Sequence, residues 1–390
     1  MTHPQAGGSF GLRQSSGDTL LDPVGDAGPR RSPSPRQWRR LFEWSGTSAP
    51  VGALLVSGIA LGPAGISLLS ADALSALAPA VPVALAALGV LVGLSVGLGR
   101  RREGVVAGAG VDAVVTVPIV SIGLGALAWA GLPVLAEPYR MLIAGAGICA
   151  ASSLTLPTGN PLEPRTTAAR LVEVGVLTPI LLGALMLAWM RTAMPVSMLL
   201  AIAAASVLVC AVATAIWLLL TVASAETEKG VLTVGALLLI GGVSDALATS
   251  ALFAGVVAGF FWRSVGGRPL EAIGRDVLFL QHPLLVIVLL TAGAGASLTR
   301  ASLAFGSAYV ALRVLSRLAA GLLAQRTSGR ALPAELGLHL LPPGVFGVAF
   351  ALNVASVMGG DAAVLLGAVV VGTIGADLVA FCLPPRGASA

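Results

Sequence analysis

Charge is the scarcest thing in this chain. Only 11% of its 390 residues are Asp, Glu, Lys or Arg, against 56% hydrophobic. A soluble domain carries roughly a quarter charged residues, so too little polar surface exists to cover a water-soluble globule of this size. Lysine is almost missing, Lys229 being the only one. The other basic residues are arginines set between apolar runs, so the net charge of +5 reads as membrane topology and not as a nucleic-acid footprint. Cysteine is limited to Cys149, Cys210 and Cys382, all within apolar stretches and without paired spacing. That excludes a disulfide framework or a metal cluster and leaves them as small packing residues. The chain also lacks a Walker loop, an HExxH pair, a Gly-x-Ser-x-Gly elbow and a haem ligand pair. The familiar enzyme chemistries fall away with them, and no cofactor is expected.

What fills the chain is apolar. Mean hydropathy is +0.93, and a membrane-spanning helix takes about 20 apolar residues. Residues 1–48 hold no such run. They are rich in Gly, Ser, Pro and Arg, with Arg30, Arg31, Arg36, Arg39 and Arg40 closely spaced, and predict a disordered basic cytoplasmic tail rather than a signal peptide. Residues 49–385 predict an all-α polytopic membrane domain of about twelve spans. The segments are roughly 51–69, 78–98, 105–130, 140–156, 168–190, 195–223, 230–248, 250–263, 277–297, 301–325, 333–357 and 361–383.

The seventh and eighth segments are separated only by Asp245 and small polar residues, and the arginines decide whether they are one span or two. With twelve crossings and a cytoplasmic N-terminus, the tail, Arg100 to Arg102, Arg263, Arg268, Arg275, Arg326 and Arg330 all fall inside. Arg140, Arg191 and Arg300 are then left outside. Fusing the two segments would invert everything after residue 250 and violate the positive-inside bias. The expected place is the cell inner membrane, with both termini cytoplasmic.

Two spans are interrupted by their own residues. The fourth runs into Ser152-Ser153-Leu154-Thr155-Leu156-Pro157-Thr158-Gly159-Asn160-Pro161, and the eleventh contains Leu341-Pro342-Pro343-Gly344. Proline removes a donor and clashes with the preceding turn. Inside a bilayer this is tolerated only where the freed groups face protein or a wet cavity. Taking spans one to five and eight to twelve as two units, the fourth of each is the broken one. Five is odd, so the units predict inverted repeats with a transport site near the midplane.

The apolar motifs between these breaks fall in a recognisable order. Leu54 to Gly65 with Gly93-Leu94-Ser95-Val96-Gly97-Leu98 resembles the start of the monovalent cation/proton antiporter superfamily, the sodium/hydrogen exchanger-like membrane domain. Thr155-Leu156-Pro157 sits where that family has a Thr-Ser-Pro-like break, and Leu252 to Gly259 looks like its Ala-Phe-x-Ala-Gly helix. Leu284 to Ala296 resembles its Phe-x-x-x-Gly span, and Arg313 to Gly321 its basic helix before the second break. The resemblance implies two broken helices crossing in a core domain, a dimerisation domain that makes a homodimer, and elevator-like alternating access. It also implies exchange of Na⁺ or K⁺ for a proton at the crossing of spans four and eleven. Thr155, Thr178 and Arg313 would line that crossing, and Asp112 or Asp377 would titrate.

One departure stands out. The family holds its acidic pair in the span after the first break, and here Val174-Gly175-Val176-Leu177-Thr178-Pro179 contains no carboxylate. A dehydrated Na⁺ needs hard oxygen ligands and a proton needs a titratable base. Two alternatives stay open on the same scaffold: a transporter of an anion or organic solute bound through Arg313 and half-helix N-termini, and a degenerate membrane protein that moves nothing.

Charges within spans are functional candidates by default. Arg313 lies near the middle of the tenth span, whereas Arg317, one turn nearer the cytoplasm, is expected to snorkel. Asp112 and Asp377 each suit a counter-ion of Arg313. Glu173 is placed to snorkel, and Asp245 to cap the turn after the seventh span. Ser152, Ser153, Thr155, Thr158, Asn160 and Asn353 offer oxygen or amide groups near the breaks. His282 and His339 read as packed or interfacial side chains.

Overall fold

The computed structural model describes the backbone of residues 51–95, 103–131, 137–152, 167–192, 195–328, 341 and 344–382. Within these, the side chains at 103–113, 129–131, 137–142, 167–175, 324–325, 327–328, 361 and 381 lie outside the description. The expected tail, Ser153, Thr155, Pro157, Pro342, Pro343 and His339 fall outside it, as do the side chains of Asp112 and Glu173.

The described residues are all-helical, without a strand. In chain order they form α1 (Val51–Leu61), α2 (Ala71–Leu77), α3 (Ala80–Ser95), α4 (Glu103–Gly131), α5 (Glu137–Ala150), α6 (Thr167–Thr192) and α7 (Pro195–Val222). There follow α8 (Glu226–Ala246), α9 (Ala251–Val265), α10 (Arg268–Ala294), α11 (Arg300–Ser328), α12 (Val345–Met358), a 3₁₀ turn (Gly359–Ala362) and α13 (Ala363–Cys382).

Local chemistry sets the boundaries. α1 stops at Leu61, short of the expected 69, because Gly62-Pro63 opens a turn in which Gly62 and Ile66 donate back to Gly58 and Ala60. α2 was not expected; Ser70 caps it by accepting from Ala73 N–H at 3.2 Å, and Asp72 sits in its first turn. Around Ala78-Pro79 it meets α3 at 48°. The seventh and eighth segments are two helices, α8 and α9. Ala248 between them takes a left-handed φ of 45°, and Ser250 caps α9. The backbone carbonyl of Asp245, rather than its carboxylate, closes that turn by accepting from Ala248 N–H. α10 begins at Arg268, well before the expected 277: Gly266 and Gly267 end α9 at positive φ, and Pro269 starts the new helix. Its charged first turns hid it, since Arg268, Glu271 and Arg275 face out while Pro269, Ala272 and Ile273 are buried.

The helices pack in two groups. α4, α5, α6, α11, α12 and α13 contact one another, while α1, α3, α8, α9 and α10 form the other set, with α7 lying along α6, α8 and α9. The second group rests on two backbone-close crossings. A methyl group at Gly89 of α3 would strike the Leu252 carbonyl of α9, and one at Gly255 would strike that of Ala86. Likewise one at Gly58 of α1 would lie 2.6 Å from the Leu290 oxygen of α10, and one at Gly293 would strike the Leu55 oxygen. Small residues are what let membrane helices approach this closely. Two indoles tie α7 to α9 reciprocally: Trp262 Nε1 donates to the Ala213 carbonyl at 3.0 Å and Trp217 Nε1 to that of Gly266 at 3.3 Å.

α7, α8, α10, α11 and α13 are each long and apolar enough to cross a membrane, and the bent pair α2 and α3 makes a sixth. α7 turns Leu199, Leu200, Val207, Leu218, Leu219 and Val222 outward, a face that water would not tolerate and lipid would. The chain is a multi-pass membrane protein. Of its cysteines only Cys149 is buried; Cys210 is half-buried and Cys382 exposed, so the expectation of three packing cysteines holds for the first alone.

Candidate functional site

The site forms where α5 ends and α12 begins. Ala150 closes α5, and Ser152 follows it with its hydroxyl donating to the Cys149 carbonyl at 2.7 Å. On the other side Gly344, buried and extended, precedes α12. A methyl group at Gly347, in the first turn of α12, would lie 2.5 Å from Ser152 Oγ and 2.8 Å from the Cys149 carbonyl oxygen. The carbonyl end of α5 therefore abuts the amide end of α12, and their partial charges oppose.

Carbonyls at a helix end have no intrahelical donor, and within a membrane no water replaces it. Arg313 supplies donors. It is fully buried on α11, with Nη1 donating to the Ala150 carbonyl at 2.6 Å, Nη2 to that of Ser152 at 2.7 Å and Nε to that of Leu341 at 3.4 Å. One guanidinium thus holds the end of α5 together with the strand of backbone entering α12. Tyr309, one turn earlier on the same helix, is buried as well.

Arg317 corrects an expectation. It does not snorkel; it is as buried as Arg313, and its Nη2 donates to the same Ala150 carbonyl at 2.8 Å. Residues four apart share a helix face, and this face points into the protein. The spacing carried that signal, while the reading by depth overrode it. Ser152 serves the site through its carbonyl, with its hydroxyl turned back on α5.

Asp377 stands apart from the guanidiniums. Its Oδ2 accepts from Gly52 N–H at 2.8 Å, in the first turn of α1, so a carboxylate from α13 caps the amide end of a helix in the other packing group. Thr178 is half-buried on α6, next to the helix-internal Pro179. Asn353 on α12 is buried, and its Oδ1 accepts from Ala251 N–H at the start of α9, at 3.3 Å. The structure thus brings Arg313, Arg317, Ser152 and the approach to Gly344 together, and places Asp377 and Asn353 on neighbouring helix ends.

No family model matches this chain, and no curated protein does. Among solved structures it is similar to the sodium proton antiporter MjNhaP1 from Methanocaldococcus jannaschii, solved at pH 8. The TM-score is 0.59 at 16% sequence identity, over 89% of this chain and 97% of that one. At this identity the likeness is one of fold.

Proposed function

We propose that the protein is a secondary transporter of the inner membrane that exchanges a monovalent cation, Na⁺ or K⁺, for a proton by alternating access, as a homodimer with both termini cytoplasmic. The observation that carries this reading is the fold shared with a sodium proton antiporter along nearly the whole of both chains. In this reading the solute passes the helix breaks, with Ser153, Thr155 and Thr178 as oxygen ligands. Arg313 holds the breaks at Pro157 and at Pro342-Pro343-Gly344, and Asp112 or Asp377 carries the proton.

Twelve spans in inverted repeats complete the proposal. Pairing α1, α3, α4, α5 and α6 with α9, α10, α11, the span of α12 and α13 turns the α1–α10 crossing into the α3–α9 crossing. The packed pair α4–α6 likewise becomes α11–α13. Matched contacts of this kind support the repeat.

A second reading draws on a specific observation. Arg313 and Arg317 bring two permanent positive charges to one carbonyl at the breaks, which favours an anionic or organic solute on the same scaffold. Purified protein in liposomes under an inward-acid pH gradient separates the two. Dissipation by Na⁺, K⁺ or Li⁺, lost in Arg313→Ala, supports cation exchange. No response to any cation from folded protein overturns it, and flux driven by carboxylates then establishes the second.

A further inference from the structure

Away from the breaks, a cavity of about 250 Å³ lies where the end of α6, the start of α7 and the α8–α9 turn meet. Its walls are apolar, among them Leu187, Ile202 and Phe253, and its polar groups are Arg191, Thr192, Thr249 and Ser250. Among the described residues the only formal charge in this lining is positive, no acidic residue lines the cavity, and no carboxylate stands within ion-pair distance of Arg191.

Arg191 is held in place from one side. Its Nη1 donates to the Leu247 and Ala248 carbonyls at 2.6 and 2.8 Å, at the carbonyl end of α8. That leaves the donors on Nε and Nη2 for another acceptor, in the side-by-side geometry that suits a carboxylate or phosphate. The hydroxyl protons of Thr192 and Thr249 go to the Ala188 and Ser244 carbonyls. Ser250 accepts from Phe253 N–H and keeps its own proton to donate, at the amide end of α9, where partial positive charge adds to that of Arg191. Donors and positive charge at one end, and alanine, leucine, isoleucine and phenylalanine elsewhere, define a ligand with the opposite pattern.

We propose that this cavity binds an amphiphilic anion, its charged head on Arg191 and Ser250 and its apolar body against Leu187, Ile202 and Phe253. The proposal goes beyond the transport reading and does not depend on it. Two sources offer this chemistry: a short-chain monocarboxylate taken from solution, or the head and upper chain of an anionic lipid, for which the outward-facing Trp189, Leu199 and Leu200 provide the approach.

The test uses the full chain in nanodiscs of phosphatidylcholine, read by thermal unfolding. Hexanoate is expected to raise the unfolding temperature saturably, while acetate, which lacks the chain, and hexylammonium, which reverses the charge, do not. Arg191→Gln removes the charge and should weaken hexanoate by roughly tenfold or more. Ala201→Phe fills the cavity from α7, leaves Arg191 on its carbonyls and should abolish the response. Adding phosphatidylglycerol distinguishes the sources: stabilisation by it that Ala201→Phe removes and hexanoate displaces identifies a lipid, and stabilisation by hexanoate alone identifies a soluble acid. Either result supports the site. An absent response to both anions, or one that both variants leave unchanged, overturns it.

Discussion

Arg313 and Arg317, one turn apart on α11, donate to the same oxygen, the carbonyl of Ala150, at 2.6 and 2.8 Å. That oxygen closes α5 within the protein interior, where the last carbonyls of a helix need donors from outside it. Two guanidiniums supply them. They also put charge that cannot be titrated away beside the negative end of a helix dipole.

Removal of Arg313 should therefore be felt first as lost stability. Arg313→Ala withdraws donors from the carbonyls of Ala150, Ser152 and Leu341, and a buried polar group left unpaired costs about 1–3 kcal/mol. The unfolding temperature in detergent should fall accordingly. Arg313→Lys keeps the charge, but a compact ammonium cannot serve the carbonyls of Ala150, Ser152 and Leu341 at once as a planar fork does, so it should recover only part of the loss. An Ala variant as stable as the wild type would remove this role.

The glycine crossings predict a sharp contrast between positions. Gly255→Ala would drive a methyl group into the Ala86 carbonyl, whereas a methyl group at Gly242 of α8 meets nothing within 4 Å. The first change should separate α3 from α9 and lower the unfolding temperature. The second should be neutral or slightly stabilising, by up to about 1 kcal/mol, since alanine outranks glycine in a helix. Equal responses at the two sites would show that the close approach carries no weight.

Much of the fold was legible because bilayers impose it: the centre of each of the twelve expected segments falls within a described helix, and Leu341-Pro342-Pro343-Gly344 ends where α12 begins. The misses share a cause in tertiary structure. Nothing in Cys149-Ala150-Ala151 forbids a helix, yet α5 stops there, with its last carbonyl held by arginines that lie more than 160 positions away. Arg317 was assigned by depth, although its face, not its depth, decides where it goes. α2, seven residues long, is too short to declare a period. At the site itself Arg313, Ser152 and Gly344 were anticipated and are placed together, while the burial of Arg317 was not, because the carbonyl it donates to is a backbone atom and carries no residue signature.

The ion pairs of Glu226 with Lys229 and Arg275 should matter little. The distances are short, 2.9 and 2.6 Å, but Glu226 and Arg275 are well exposed, and exposed pairs contribute roughly 0–1 kcal/mol, screened by salt. Glu226→Gln should leave the unfolding temperature within a degree or two of the wild type at physiological ionic strength. A larger fall would mean that this contact locks the start of α8 to α10.

Asp377 links the two packing groups through one hydrogen bond, from Gly52 N–H to its carboxylate, and that makes it the candidate whose proton can be tested apart from its structural role. An ionised carboxylate is the better acceptor and is favoured at the amide end of α1; protonation weakens the contact, so acid should loosen α1 from α13. Asp377→Asn retains an oxygen for Gly52 but holds the side chain neutral at every pH. Asp377→Ala removes both. If Asp377 carries the exchanged proton, the Asn variant should fold with near wild-type stability while its transport in proteoliposomes becomes independent of pH, and the Ala variant should lose stability as well. A wild-type pH profile in Asp377→Asn would place the proton on another group, and Asp112, on α4, becomes the residue to change next.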